Sequence, residues 1–498
     1  MPACSHNLLL LQPSRCADEV GYRQATGDQR VAATQALGRG PDKGKTSARS
    51  LDKAEVLPGP LDPEQPPPPS SFPAPLVLPG DELAYESHSS PQSLRSWSKG
   101  TYRNALTTEK KTIYVIGPPT YTKNVAHAQS WTETHLRTPK RIPKGAKGLQ
   151  FAQLVAPKLE EVQEYLQAFY HGLPVKALEK PQLQFTSWDE EPPKKRTKTA
   201  AKPSYIGLST GTELIRIRSR PSRDGLFAGQ LNLNDLLDVA MSILPKDAYA
   251  LLMLVDHDLY EDEEDDFCCG RAYGGSRVAV VSTTRYNPQL DERQGVDRQH
   301  AWPASHCQSF VNAFCDTEGN PGSAKKKAPV LGTATDESTA LGAAVNAFSK
   351  LKSPSSVLDL ETLWLGRVCK TASHEIGHCF GLGHCVYYAC VMQGTAGLAE
   401  DARQPPYLCP VDMAKLMKAT AESRGRPGNG LTSNAELARY DAVRTFCEKR
   451  KNDRLFGPWA AWLLFVGDHT VSDLKRTTIE INAPLVARAR SPTVIDLT

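Results

Sequence analysis

The chain has 498 residues, and its 59 lysines and arginines against 55 aspartates and glutamates leave a net charge of only +4. A charge this small does not by itself indicate nucleic-acid binding. The longest apolar run, 455–466, is too short to span a bilayer, and the apolar run 8–11 lacks the basic flank of a secretory signal. We therefore expect a soluble intracellular protein, cytoplasmic or nuclear, in which 455–466 is a buried helix or strand.

The N-terminal region, 1–71, is predicted to be disordered or weakly ordered. It has few aromatic residues and ends in a proline run at 66–69. The chain is predicted to be folded from residue 72 onward.

Strands and helices alternate in the predicted folded part, which indicates an α/β layer structure. The apolar run 248–255 is typical of a central buried strand. Apolar spacing predicts helices over 159–170 and from Asn232 through Ile243. The other predicted strands are 111–117, 175–178, 213–218 and 278–282.

Two polar insertions, near 179–203 and 318–329, interrupt this pattern. The first carries the basic run 193–198, which resembles a nuclear localisation signal but is equally typical of a solvated basic loop. The acidic run 261–266 is predicted to be a solvated loop, with a patch that attracts basic substrates as the alternative.

The stretch 374–384 contains the pattern H-E-x-x-H-x-x-G-x-x-H without a gap. On a helix, His374 and His378 lie one turn apart on the same face and can bind one metal ion. Gly381 permits the turn with positive φ that returns the chain, so that His384 supplies a third ligand. Glu375 is placed to act as general base toward a metal-bound water. Three imidazoles leave a fourth position open, as in catalytic zinc sites.

The residues after this motif narrow the family. Cys385, Cys390, Met392 and Cys409 form a run H-C-x4-C-x-M-x16-C that resembles the archaemetzincin family of metzincin metallopeptidases. The resemblance implies that the three histidines bind a catalytic zinc above a Met-turn at Met392. It also implies that the three cysteines are ligands of a second, structural zinc.

The same resemblance implies an α/β (α+β metzincin-like) fold, in which a mixed twisted sheet packs on helices and the zinc helix precedes the Met-turn. The catalytic domain would cover 72–425. Its sheet edge, expected within Ala272–Arg285, would receive an extended peptide by strand addition.

The fourth ligand of the second zinc departs from the family pattern. The family ends in C-x-x-C, whereas this chain has Asp412 at the last position. Aspartate can bind zinc, so Asp412 is the provisional ligand. Cys447 or Cys379 could replace it, the site could be weak or empty, or the cysteines could be small buried side chains.

The remaining cysteines and histidines predict no further metal site. His300, His306 and Cys307 form a loose group without ligand spacing. Four of the 12 cysteines have metal or active-site positions, a usage typical of a reducing compartment and not of a disulfide framework.

After the catalytic domain we expect a helical extension over 426–480 and a flexible tail over 481–498. The tail ends in Val494-Ile495-Asp496-Leu497, which is similar to a SUMO-interacting motif that adds as a strand to the sheet of SUMO. The alternative is a terminal strand packed on its own domain.

These patterns predict a zinc-dependent metallopeptidase that hydrolyses peptide bonds with activated water and Glu375 as base. A peptide or protein is the expected substrate, with SUMO-modified proteins as candidate partners. Neither a membrane nor direct nucleic-acid binding is indicated. Two alternatives remain: an inactive SUMO-binding adaptor, and a zinc hydrolase of a non-peptide substrate.

Overall fold

The computed structural model describes residues 4–35, 65–101, 103–135, 152–188, 204–317, 330–422 and 433–467. The predicted basic run at 193–198, the insertion at 318–329 and the tail at 481–498 lie outside the described residues.

The strands fall into three sheets. They are β1 (Leu8–Leu9), β2 (Thr112–Ile116), β3 (Thr120–Tyr121), β4 (Val175–Ala177), β5 (Gln184–Thr186), β6 (Ser204–Ser209), β7 (Leu214–Arg220), β8 (Gln230–Asn232), β9 (Ala248–Val255), β10 (Asp258–Tyr260), β11 (Gly270–Tyr273), β12 (Val278–Ser282) and β13 (Thr333–Ala334).

Helices pack on these sheets, and they also make up the regular secondary structure of the described chain after the last strand, β13. They are α1 (Arg15–Glu19), α2 (Gly27–Ala33), α3 (Glu82–Tyr85), α4 (Leu94–Lys99), α5 (Ala126–Gln129), α6 (Leu159–Phe169), α7 (Leu233–Ser242), α8 (Gln308–Thr317), α9 (Ala340–Lys350), α10 (Val357–Cys379), α11 (Leu398–Arg403), α12 (Pro410–Glu422), α13 (Ser433–Glu448) and α14 (456–467).

A five-stranded sheet, in the order β11-β12-β9-β2-β4, forms the centre of the fold. Its strands are parallel except for β11, which pairs antiparallel with β12. Side chains of β9 alternate between two cores, as the two-residue period of a strand requires. Leu252 faces the core shared with α6 and α10, whereas Met253 faces the core shared with α7 and the six-stranded sheet β10-β8-β7-β6-β5-β3. The predicted α/β structure, with sheets packed on helices, is confirmed.

The predicted strands 248–255 and 278–282 match β9 and β12, and the two predicted helices match α6 and α7 to within about one residue. The predicted position of the sheet edge needs correction. The edge strand is β11, which begins at Gly270, and β12 lies inside the sheet between β11 and β9. The segment Ala272–Arg285 therefore contains the end of the edge strand and all of its inner neighbour.

The prediction of a disordered N-terminal region is wrong for residues 4–35. There β1 pairs with β13, and a disulfide joins Cys16 of α1 to Cys315 of α8. Leu10 and Tyr22 are buried in two small apolar clusters with residues far along the chain. These few side chains order the segment through contacts with distant residues. The average composition of the segment cannot reveal such contacts. The other ten cysteines are free, so the chain has one disulfide and not a framework.

The C-terminal part of the described chain packs on the same core. Trp459 and Trp462 of α14 are buried, and the Trp462 ring stacks on Tyr407 with 4.3 Å between centroids. The prediction of a buried element at 455–466 is thus confirmed. Among the helices of the described ranges, none has the length and apolarity required to cross a membrane.

Candidate metal centres and active site

The helix α10 carries the first two histidines and ends where the motif predicts. The hydroxyl of Ser356 caps its first turn by accepting a hydrogen bond from the Asp359 N–H. At the other end Gly381 has φ +75°, and its N–H donates to the His378 carbonyl at 2.8 Å. This left-handed glycine ends the helix and turns the chain back, so that His384 approaches the helix.

The three histidines of the motif come together. Their ligand nitrogens all lie within 4.8 Å of one another, and Nε2 of His374 is 3.0 Å from Nε2 of His378. Burial and the neighbouring histidines hold the pKa of His374 well below its usual value, and burial with His384 lowers the pKa of His378 to about 4. Both rings are therefore neutral near pH 7, the form in which imidazole binds a metal.

Each histidine is oriented by a hydrogen bond at Nδ1. The first two rings donate to the backbone carbonyls of Val391 and Leu382, both at 2.7 Å. The third ring, His384, lies 2.7 Å from a carboxylate oxygen of Glu82 in α3. Such outer contacts fix the tautomer of a ligating histidine and leave Nε2 for the metal. The donor set thus fits a three-histidine zinc site.

Glu375 occupies a buried position beside these histidines. The residue is 7% exposed. Burial raises its pKa to about 8, although His384 and Arg271 act in the opposite direction. A carboxylate in such an environment accepts a proton near neutral pH, as a general base requires.

Two cavities meet at Glu375. One, of about 230 Å³, is bounded by Phe267, Thr395 and Leu398. The other, of about 570 Å³, extends along β11 toward His378 and His384. Within the described residues, β11 pairs with β12 alone, so its outer edge faces this second cavity without a strand partner. The arrangement leaves room for an extended chain along the sheet edge.

Met392 packs directly against α10. A Cβ placed on Gly377 would come within 2.5 Å of the Met392 sulfur, so the helix and this methionine approach as closely as a glycine allows. The N–H of Cys385 also donates to the Met392 carbonyl at 2.8 Å. The segment after the histidines is therefore bonded to the backbone of Met392.

A second group of ligand atoms forms where the cysteine spacing predicts one. The sulfurs of Cys385, Cys390 and Cys409 and a carboxylate oxygen of Asp412 all lie within 4.8 Å of one another. The Cys385 and Cys409 sulfurs are 3.5 Å apart, and the Cys390 sulfur is 3.4 Å from Asp412 Oδ2. A tetrahedral zinc site requires four ligand atoms at about such separations.

Asp412, and neither of the two alternative cysteines, completes this group. Cys379 packs instead near Tyr249 and Glu375, and Cys447 packs near Cys369. Burial and Cys385 raise the pKa of Asp412 to about 6, although Lys415 lowers it.

Lys415 is a further member of this centre. Its ammonium lies 2.8 Å from Asp412 Oδ1 and 2.9 Å from Gln92 Oε1, and it is 2% exposed. Three thiolates and a carboxylate would leave a net negative charge around a divalent ion, and the buried lysine offsets part of it.

The acidic run 261–266 forms an exposed loop, which is ordered by side chains that hydrogen-bond to its backbone. Arg220 donates to the carbonyls of Asp262 and Glu263, and a carboxylate oxygen of Asp265 accepts from the N–H groups of Glu261 and Asp262. The prediction of a loop is confirmed, while attraction of basic substrates stays a prediction.

Sequence reasoning missed Glu82 and Lys415. Glu82 is about 300 residues from the histidine that it contacts and has no spacing in common with the motif. Lys415 had a local signal, since it follows Asp412 by three positions on a helix and so lies on the same face.

Comparison with known proteins gives matches to one family. Residues 348–418 match the model of "Peptidase family M54". The mouse protein Archaemetzincin-2 is 28% identical over 190 residues, which cover 38% of this chain and 42% of the mouse protein. The human protein Archaemetzincin-1 is 27% identical over 218 residues, which cover 43% of this chain and 36% of the human protein. The chain thus spans about two fifths of the length of the curated relatives it matches.

Two solved structures from archaea show a lower likeness. The archaemetzincin of Methanopyrus kandleri is 15% identical, with a TM-score of 0.28 over 64% of this chain and 97% of the other. A zinc-dependent peptidase of Methanocorpusculum labreanum is 17% identical, with a TM-score of 0.28 over 61% of this chain and 99% of the other.

The family match covers α10, the three histidines, Met392 and the three cysteines together. The resemblance to the archaemetzincins, Peptidase family M54, which the zinc motif and the cysteine spacing indicated, is therefore confirmed.

Proposed function

We propose that this chain is a zinc-dependent metallopeptidase. The observation that carries the proposal is that the imidazoles of three histidines converge beside the buried Glu375. Each imidazole is oriented through its Nδ1, and the group lies at the open edge of the sheet. His374, His378 and His384 would hold the zinc ion, which would supply Lewis acidity: it would lower the pKa of a water from 15.7 toward ~7 and polarise a carbonyl.

Glu375 would move the protons of the reaction. As the water attacks the peptide carbonyl, its carboxylate takes the proton, and it then delivers that proton to the leaving amine. Burial raises the pKa of Glu375, so its carboxylate is a stronger base than an exposed glutamate, which supports its role as the proton acceptor.

An extended peptide is the substrate that the surroundings favour. Strand addition to the free edge of β11 would fix the backbone, and the two cavities that meet at Glu375 would take side chains on either side of the cleaved bond. A covered sheet edge would favour a non-peptide substrate, and in the described residues the edge of β11 is not covered by another strand.

The second metal, held by Cys385, Cys390, Cys409 and Asp412, would be structural. These four ligands are buried and fill a tetrahedral set, which leaves no position for a substrate. It would hold the chain between the zinc helix and α12 and so support Met392 as a Met-turn under the catalytic ion.

The experiment compares the unmodified chain with Glu375→Gln and with the exposed control Glu292→Gln. We expect Glu375→Gln to abolish cleavage of a peptide library while the zinc content per chain stays unchanged, and the control to keep both. Cleavage by Glu375→Gln at the unmodified rate would exclude this mechanism. Loss of zinc with loss of activity would assign Glu375 to metal binding.

We also propose that the tail recruits the enzyme to SUMO-bearing proteins in the nucleus. The support is the sequence alone: the basic run 193–198 and the aliphatic terminus at 494–497. A short augmenting strand binds weakly and gains from a second contact at the active site. Binding of the full chain to SUMO should be lost in Ile495→Ala and Leu497→Ala. Binding that is absent, or unaffected by these changes, would leave the peptidase proposal without the SUMO link.

A further inference from the structure

A third group of metal-ligating side chains lies apart from both centres, where the N-terminal segment meets the loop before α8. One ligand atom each of Cys4, His6 and His300 lies within 4.8 Å of the other two. The sulfur of Cys307 is 3.4 Å from the sulfur of Cys4. One thiol and two imidazoles thus meet at one place, with a second thiol beside the first, although the segments that carry them are about 300 residues apart.

His300 is oriented as a metal ligand would be. Its Nδ1 lies 2.6 Å from an oxygen of Asp297, and its ring stacks on Phe310 with 4.3 Å between centroids. Its Nε2 is buried and makes no hydrogen bond of good geometry within the described residues. Although burial lowers the pKa of His300, the nearby Cys307 thiol, Asp297 and the Cys4 thiol together raise it to about 9, so both thiols lie close to this ring. A carboxylate on one ring nitrogen fixes the tautomer and leaves the other nitrogen for a metal.

His6 provides a second, independent indication. The residue is 6% exposed, and its Nε2 is also buried without a hydrogen-bond partner in the described chain. Its backbone has φ +49°, a left-handed conformation that non-glycine residues adopt at some cost in free energy. Buried polar atoms without partners are rare in folded proteins, and two imidazole nitrogens share this state here.

We propose that Cys4, His6, His300 and Cys307 form a third zinc site of the Cys2His2 type. Two sulfur and two nitrogen ligands are the set that tetrahedral structural zinc prefers. The ion would satisfy both unpartnered Nε2 atoms and fasten the segment 4–35 to the core. If the proposal holds, it would replace the expectation that His300 and Cys307 bind no metal, because the two ligands that complete the set come from the N-terminal segment.

His306, the third member of the group seen in the sequence, does not belong to the site. Its Nε2 donates to the carbonyl of Ala74 at 3.1 Å, and the residue is buried.

The competing use of the two thiols is a disulfide between Cys4 and Cys307. That bond would occupy the sulfurs but leave Nε2 of His6 and Nε2 of His300 buried without partners. A zinc ion engages all four side chains, so the histidines favour the metal.

The test is the zinc content of the full, untagged chain, measured by elemental analysis. His6→Ala and His300→Ala should each contain one zinc fewer per chain than the unmodified protein. The exposed His171→Ala, a matched control, should lose none. The double variant His300→Ala with His378→Ala should lose two, which separates this site from the catalytic one. Unchanged zinc in the folded His6→Ala and His300→Ala proteins would overturn the proposal.

Two further measurements keep the result interpretable if a histidine variant fails to fold. Cobalt loaded into the unmodified chain should give thiolate-to-metal charge-transfer absorption that falls in Cys307→Ser. Peptide mass mapping without reduction should find Cys4 and Cys307 as free thiols. A Cys4–Cys307 disulfide in the purified chain, or cobalt absorption unchanged in Cys307→Ser, would overturn the proposal. Neither outcome depends on peptidase activity, so failure here leaves the proposed function standing.

Discussion

Glu82 offers a direct test of the catalytic zinc site, because it contacts no metal itself. Its carboxylate oxygen lies 2.7 Å from Nδ1 of His384, and it raises the pKa of that ring against the effect of burial. Replacing Glu82 by alanine removes this acceptor and leaves the ring free to turn. The backbone of Glu82 keeps its own anchor, since its N–H donates to a carboxylate oxygen of Glu400 at 2.9 Å.

The expected loss of zinc affinity depends on how exposed Glu82 and His384 are. Loss of an outer partner costs about 10- to 100-fold in metal affinity. The side chains of Glu82 and His384 are 24% and 43% exposed, so water can replace part of the contact. We therefore expect the lower end, a loss of about tenfold or ~1.4 kcal/mol, in Glu82→Ala. Glu82→Gln keeps an acceptor without the charge and should lose less.

The assay is the zinc dissociation constant of the catalytic site, measured by competition with a chromophoric chelator. Glu292→Gln, a change at an exposed carboxylate, serves as the control and should match the unmodified chain. If Glu82→Ala is folded and its dissociation constant stays within about twofold of the control, the carboxylate does not support His384 as described.

Three other changes test the second zinc centre, the core and the response to acid. Asp412→Cys should tighten zinc binding at the cysteine centre, because thiolate is a softer zinc ligand than carboxylate; a weaker site by chelator competition would contradict this. Trp462→Ala should lower the free energy of unfolding by ~3–5 kcal/mol in denaturant titrations. Its control is Leu464→Ala, at a position 50% exposed, which should change the free energy of unfolding by less than ~0.5 kcal/mol. Equal effects of the two changes would refute the packing role of the Trp462–Tyr407 stack. Burial lowers the pKa of His257 to about 4 in the folded protein, whereas it is near 6.5 in the unfolded chain. Below pH 6.5 the unfolded chain therefore takes up a proton that the folded protein does not, so the stability that neutral His257 contributes is complete above pH 6.5 and is lost as the pH falls toward 4. Between pH 7 and pH 5 the unmodified protein should therefore lose about 2 kcal/mol more stability than His257→Gln; parallel pH profiles for the two proteins would count against it.

The zinc helix could be predicted from the sequence because its information is local. The spacing of the three histidines, and the glycine that ends the helix, specify the geometry within eleven positions, 374–384. The strand β9 was equally accessible, since its eight residues are apolar and buried on both faces. Patterns over such short stretches predict the local backbone structure without information from distant residues.

The parts that could not be predicted depend on contacts between distant segments. Nothing in the spacing of Cys4 and His6 shows that His300 lies beside them, and nothing around Glu82 points to His384. The N-terminal region was misjudged for the same reason. Its composition resembles that of a disordered segment, but a few residues such as Leu10 and Tyr22 have partners elsewhere in the fold.

The contact of α3 and the residues after it with the end of the zinc helix has a consequence for biosynthesis. The side chain of Gln92 bonds to the backbone of Gly381 and Gly383, across 289 and 291 residues of sequence. At about 5–20 residues per second on the ribosome, a stretch of ~290 residues takes roughly 15–60 s to translate. During that interval Gln92 lacks these two backbone partners, and the third histidine, His384, has not yet been synthesised. Metal binding at the proposed catalytic site would therefore be a late step in the maturation of this protein, after translation of the segment that carries the motif.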